Sequence, residues 1–181
     1  MPVDPFVLPL SKYENIVYDN PFIRLTEERA VLNNKEELWV RAYGRPSVHI
    51  FAINAIGDML MIKEDRHGEP QPRWGEPRGY IENGEDPKAA ALRELEEEGS
   101  FTATHLELLC EMPYLHRRFN EHVYVYVAKN LTPVSVENPD GDVVLATKFV
   151  PIETLYQQVL NGDFNHTNFM PAFLQYYREL Q

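Results

Sequence analysis

Apolar and polar positions alternate along much of the chain, and the period changes from place to place. Phe22–Leu32 and Glu37–Tyr43 are β-rich runs separated by Asn33-Asn34-Lys35, which predicts a hairpin with a longer turn. Val48–Ala55 and Met59–Lys63 are almost continuously apolar and flank Ile56-Gly57-Asp58. They predict a second hairpin, of strands buried on both faces. The period then becomes helical. Asp86 is a good N-cap, Pro87 suits the first helical position, and Ala91, Leu92 and Leu95 recur on one packing side. Strands are expected again over His105–Pro113, His122–Lys129 and Val143–Val150; in the second, Val123, Val125 and Val127 alternate with Tyr124 and Tyr126. Helices follow over Ile152–Asn161 and Pro171–Leu180. Residues 1–20 are rich in Pro and Tyr and are assigned to an arm or short helix. There is no internal repeat. Mixed strands, one central helix and two late ones predict an α/β fold with a mixed sheet between helical layers.

The size of the chain, 181 residues, suits one domain with a real core and a small N-terminal extension. Lys and Arg total 17 against 28 Asp and Glu, a formal charge of −11. That weighs against a nucleic-acid partner or an anionic membrane, each of which needs a basic stripe. A phosphorylated small substrate stays compatible, because bound divalent cations reverse a local field. Cys110 is the single cysteine and lies in an apolar run, so it reads as a small packing residue in a reducing compartment. No apolar stretch reaches membrane-spanning length, and Met1 opens no cationic and apolar leader. The expectation is a soluble cytoplasmic protein.

The chemistry concentrates in the central helix. Successive helical residues turn by about 100°, so Glu94 and Glu98 lie one turn apart and Glu97 lies beside them. Three carboxylates on one stripe repel, and a divalent cation with oxygen ligands, Mg²⁺ or Mn²⁺, is the simplest compensation. The plainer alternative is a solvated acidic face. Arg93 is placed to orient these carboxylates by charge-assisted bonds, or simply to pair with Glu97 one turn on. Arg41, Arg45, Arg66, Arg117 and Arg118 are possible phosphate contacts, and Phe22, Tyr43, Tyr114 and Phe119 possible stacking faces for a base. His116 and His122 could titrate, but six scattered histidines and one cysteine give no zinc spacing.

The order Gly79, Glu85, Arg93-Glu94, Leu95, Glu97-Glu98 resembles the Nudix box of the Nudix hydrolase superfamily. Every charged position matches. The departure is at the helix exit: Gly99 comes one place early, Ser100 stands where the motif has Gly, and Phe101 fills the aliphatic place. Gly99 could then act as a left-handed cap one residue sooner. Upstream, Trp74-Gly75-Glu76-Pro77-Arg78-Gly79 looks like the strand entry of the nucleotide-sugar branch, with Arg78 in place of a small residue. Asn161-Gly162-Asp163-Phe164 before a helix resembles the C-terminal part of ADP-ribose pyrophosphatases.

The resemblance implies a Nudix α/β/α sandwich over residues 46–181. Residues 1–45 would form a β-rich extension used for homodimer contacts. It implies metal ligation by Glu94, Glu97, Glu98 and the Arg78 carbonyl. Gly79 and Glu85 would be structural motif positions, Glu85 tying loop to helix. Phe119-Asn120-Glu121 looks like a loop that brings Glu121 to the metals as general base, with Glu97 the alternative. Arg66 follows a predicted strand where this branch often has a substrate-facing Arg. The implied activity is Mg²⁺-dependent cleavage of a nucleoside diphosphate sugar, ADP-ribose first, to AMP and ribose 5-phosphate. The alternatives are a Nudix hydrolase of another nucleotide pyrophosphate, and a Nudix module that senses a nucleotide without cleaving it.

Overall fold

The computed structural model describes residues 15–66, 70–115, 118–135, 143–164 and 169–181. The N-terminal ribbon is antiparallel: β1 (Asn15–Asp19), β2 (Ile23–Leu32) and β3 (Lys35–Gly44) pair in that order. Asn33 and Asn34 both take positive φ at the turn, a conformation that Asn tolerates better than most residues. The ribbon continues into the main sheet, because Ala42 and Tyr43 of β3 pair parallel to Phe119 and Asn120 of β9 (Phe119–Pro133).

Strand β9 organises the rest. It runs parallel to β4 (Ser47–Ala52) along Val123–Ala128 and antiparallel to β8 (Phe101–Leu115) on its other edge. A short β7 (Arg78–Tyr80) closes the far side of β4. The second sheet has the order β10-β5-β6, from Val143–Pro151, Asp58–Asp65 and Arg73–Gly75. The expected hairpin of β4 with β5 is therefore corrected. The two strands meet only at an Ile53–Met59 bridge and then enter different sheets.

Alternation now has a visible meaning, since successive strand side chains point to opposite faces. Val48, Ile50 and Ala52 of β4 pack with Leu60, Ala90, Ala91 and Leu95 under helix α1 (Pro87–Gly99). Phe51 and Ile53 pack on the other face with Val123, Val125 and Val127. Leu155 and the pair Phe169 and Phe173 cover that face from α2 (Ile152–Asn161) and α3 (Phe169–Glu179). Helices thus cover both faces of the strands, the α/β/α arrangement expected. The late helices fall at the expected positions, and Gly162 ends α2 in the left-handed conformation.

Helix α1 begins as the sequence indicates. The Asp86 carboxylate accepts from the Lys88 N–H at 2.9 Å and the Ala89 N–H at 3.3 Å, with Pro87 at the first turn. Its end differs from expectation. Gly99 stays helical, and Ser100 takes the left-handed position at φ 60°. Packing explains the exchange. A Cβ on Gly99 would lie 3.0 Å from both Leu60 Cδ2 and Leu95 Cδ1. The chain needs its glycine for close contact there, so the left-handed step falls on a residue that pays a steric penalty. Ser100→Gly should raise the stability of the protein by about 1 kcal/mol, read from the urea midpoint at unchanged m value.

Candidate active site

Gly79 and the two residues before it lie beside α1, and the lack of a side chain at Gly79 makes room for the Glu94 carboxylate. A Cβ there would overlap the Glu94 carboxylate. Glu94 and Glu98 are buried although their side chains carry carboxyl groups, at 2% and 8% exposure. Glu98 accepts the Arg78 backbone N–H at 2.8 Å. Arg93 gathers the other acids. Its Nε and Nη2 donate to the two oxygens of Glu85, each at 3.0 Å. Its Nη1 donates to Glu94 at 2.6 Å and to Glu97 at 3.0 Å, and Nη2 also reaches the Tyr80 carbonyl at 2.9 Å. Glu85 in turn accepts from the Glu82 N–H, which locks the turn before the helix. The two readings of Arg93 are both realised: it pairs with Glu97 and also orients Glu85 and Glu94. Its partners, Glu85 foremost, hold the guanidinium charged more firmly than usual, against the cost of burial.

Two acids that the sequence reading passed over belong to this centre. Glu64, on β5, lies in the alternating row Leu60, Ile62, Glu64 that faces α1, and it is buried. Arg66 donates to both of its oxygens at 3.0 Å and stands 3.7 Å from Glu98. Burial pushes the Glu98 carboxyl well above its usual range, and the charges of Glu64 and Glu94 push the same way. The Arg78 N–H and the Arg66 charge pull it back only in part. An acidic residue facing inward on an otherwise apolar strand row was the available signal for Glu64.

Glu76 is fully buried and lies 2.5 Å from His49 Nδ1. Burial alone would raise its pKa. The His49 hydrogen bond, the Arg78 charge and the His49 charge more than offset that and bring it down to about 2. A carboxylate in that state only accepts, so Nδ1 carries the proton of the bond. A group whose folded pKa is depressed contributes stability above its unfolded pKa and loses it as pH falls through the folded one. Melting temperature should therefore fall between pH 4.5 and about 2, and Glu76→Gln should flatten that acid limb.

The other expected residues have partners of their own. Glu121 does not sit on a loop. Strand β9 starts at Phe119, and Glu121 pairs with Tyr114 of β8 and accepts from Ser47 Oγ at 3.3 Å. The Phe119 ring covers Gly44, with its Cζ 3.1 Å from where a Cβ would be. Arg41 pairs with Glu28 at 3.2 Å in the N-terminal ribbon. Arg45 donates to the Ile81 carbonyl at 2.8 Å, and Arg118 stacks on Trp39. Tyr43 is buried, which removes it as a stacking face, whereas Phe22 is exposed and tilts toward the Tyr80 ring. His122 stacks on Tyr124 and pairs with Glu111. Arg117, His116 and the Tyr114 side chain lie outside the described residues. Asp163 and Phe164, after α2, line a cavity of about 300 Å³ with Met61, Trp74 and Lys148, on the face of β5 away from Glu64.

Among the described residues no three acidic, histidine or cysteine side chains form a ready ligand set, since Glu94 and Glu97 are turned onto Arg93. The donor chemistry nevertheless fits a hard divalent cation. The donors on offer are carboxylate oxygens, two of the side chains are buried, and the electrostatics leave Glu98 short of positive charge. No described helix is long and apolar enough to cross a membrane.

The chain is similar to several known proteins. The chain is 42% identical over 69 residues to an RNA pyrophosphohydrolase of Cereibacter sphaeroides, covering 38% of this chain and 41% of that protein. It is 33% identical over 86 residues to an ADP-ribose pyrophosphatase of Bacillus subtilis, covering 48% of this chain and 46% of that one. The matches thus span less than half the length of these curated relatives. A crystal structure described as an ADP compounds hydrolase shares the fold, with a TM-score of 0.79 at 24% identity over 92% of this chain and 91% of that one. The NUDIX domain model matches residues 44–173, most of the chain and all of the carboxylate centre on α1, so the chain belongs to the NUDIX domain family.

Proposed function

We propose that this protein is a Nudix pyrophosphohydrolase that cleaves the pyrophosphate bond of a nucleoside diphosphate sugar, with ADP-ribose giving AMP and ribose 5-phosphate. The observation that carries the reading is the buried pair Glu94 and Glu98, set against Gly79 and oriented through Arg93 and Arg78. Glu94, Glu97, Glu98 and the Arg78 carbonyl would hold Mg²⁺ or Mn²⁺. Such a cation neutralises diphosphate oxygens and lowers the pKa of a bound water.

The chain's own groups do the rest. Arg93 fixes the carboxylate rotamers, so little reorganisation is left for the reaction. Glu121, on β9 beside Ser47, is assigned to take the proton of the attacking water, with Glu97 as the alternative base. Arg66, Arg41, Tyr114 and Phe119 are assigned to the substrate ends. The exposed apolar side chains of the N-terminal ribbon, Ile16, Val17, Tyr18, Val31 and Leu38, support a homodimer contact through residues 1–45. Light scattering on the eluted protein tests that assembly. A cytoplasmic location is part of the same proposal.

A second reading, removal of pyrophosphate from RNA 5′ ends, is favoured by the likeness to the Cereibacter protein. The charge of −11 opposes it. Initial rates on ADP-ribose, other nucleotide sugars, a dinucleoside polyphosphate and 5′-triphosphorylated RNA, each with Mg²⁺ and with EDTA, separate the readings. AMP release from ADP-ribose that EDTA abolishes is expected. Preference for the RNA end would replace the substrate assignment, and nucleotide binding with no turnover would make the chain a sensor.

A further inference from the structure

The Arg78 side chain has no part in the scheme above, yet it is built into the centre. Its backbone N–H holds Glu98, so the residue stands directly behind a proposed metal ligand. Its guanidinium is only 14% exposed and lies between two buried carboxylates, 3.7 Å from Glu64 and 3.7 Å from Glu76. The surroundings make room for it: a Cβ on Gly75 would come 2.5 Å from Nη1. Nη1 is buried and has no hydrogen-bond acceptor, and Glu76 Oε2 opposite it has no donor. Arg66 grips Glu64 with two bonds in fork geometry, whereas Arg78 meets its partners by charge alone.

Counting charges shows what this does. Around Arg93 stand Glu85, Glu94 and Glu97, three carboxylates to one guanidinium. Around Glu64 stand Arg66, which also reaches Glu98, and Arg78, which also faces Glu76, so this half sets three carboxylates against two permanent cations. Without Arg78 it would set three against one, as around Arg93. In a buried site, where screening is weak, one unit of charge a few ångströms away strongly changes the affinity for a divalent ion.

We propose that the Arg78 guanidinium, seated between Glu64 and Glu76, is a built-in cation that fills part of the positive charge the carboxylate centre demands and thereby sets how tightly the centre takes up divalent ions. It is a positioning residue, acting through Glu64. The inference rests on the metal-dependent reading given under Proposed function.

Mn²⁺ binding to the full-length, substrate-free protein, followed by the electron paramagnetic resonance signal of the free ion, tests it directly. Arg78→Met removes the charge and keeps much of the stem. It should bind Mn²⁺ about tenfold more tightly than wild type. Arg78→Lys keeps the charge and should stay within about threefold of wild type. Unchanged affinity in Arg78→Met, or an equal rise in Arg78→Lys, overturns the inference and leaves the functional reading intact. A wild-type protein that binds no Mn²⁺ overturns both. Should Arg78→Met fail to fold by circular dichroism, Glu76→Gln decides. Removing one negative charge beside Arg78 should weaken Mn²⁺ binding about tenfold, and no change would sink the proposal.

Discussion

Glu98→Gln is expected to lower turnover of ADP-ribose with Mg²⁺ by at least about 100-fold, beyond the ~10–100-fold typical of outer-shell partners of a metal site. The same substitution should leave the metal-free protein as stable as wild type at neutral pH, or slightly more so. The two halves of this expectation come from one feature. Glu98 is 8% exposed, and burial together with Glu64 and Glu94 disfavours its charged form. Wherever it is ionised the buried carboxylate weakens the fold, and as falling pH protonates it the penalty is relieved. An amide of the same shape removes the penalty at every pH, and its oxygen can still accept the Arg78 N–H bond. A purely structural acidic face would give the stability result without the catalytic one. Turnover within about threefold of wild type would show that Glu98 is not a ligand. Steady-state rates and thermal melts in EDTA on the same preparation check both halves.

Gly79→Ala should cost about 10–100-fold in turnover while lowering stability by less than about 2 kcal/mol. The three atoms nearest the added methyl all belong to the end of the Glu94 side chain. That side chain is flexible, so the fold has an escape: the carboxylate swings aside. The escape breaks the arrangement in which Arg93 Nη1 bridges Glu94 and Glu97. Damage should therefore appear in kcat and in divalent-ion affinity, not in the urea midpoint. A variant that unfolds, or one with wild-type rates, would contradict the close approach of Gly79 and Glu94.

How much of this was legible in the sequence follows from the range of the interactions. The start of α1 was legible because Asp86 and Pro87 act on the next turn of the same chain. The carboxylate ridge was legible because helical spacing is a local rule. The pairing of strands was not. Val48–Ala55 and Met59–Lys63 look like the arms of a hairpin, but their partners are β9 and β10, far along the chain. Glu121 was read as a loop residue because its strand begins with a two-residue pairing to Ala42 and Tyr43 that no local pattern announces. The exchange of roles at Gly99 and Ser100 was hidden for a like reason: Leu60, from another strand, claims the space. Buried acids and bases such as His49, Glu64 and Glu76 look like surface residues until their partners are placed.

Strand β9 carries a consequence for the order in which the molecule assembles. It is the parallel neighbour of both β3 and β4, and it follows them by a long stretch of chain. While the protein is being made, β4, every residue of which is buried in the finished fold, emerges well before the segment that will cover its edge. The helix with its acids can form early, from local contacts, whereas the sheet beneath it must wait for a distant segment and for the entropy of closing that loop. The nascent chain thus passes through a stage with an uncovered, aggregation-prone edge, and ribosome-bound chains halted before Phe119 should engage holdase chaperones more strongly than chains halted after Pro133.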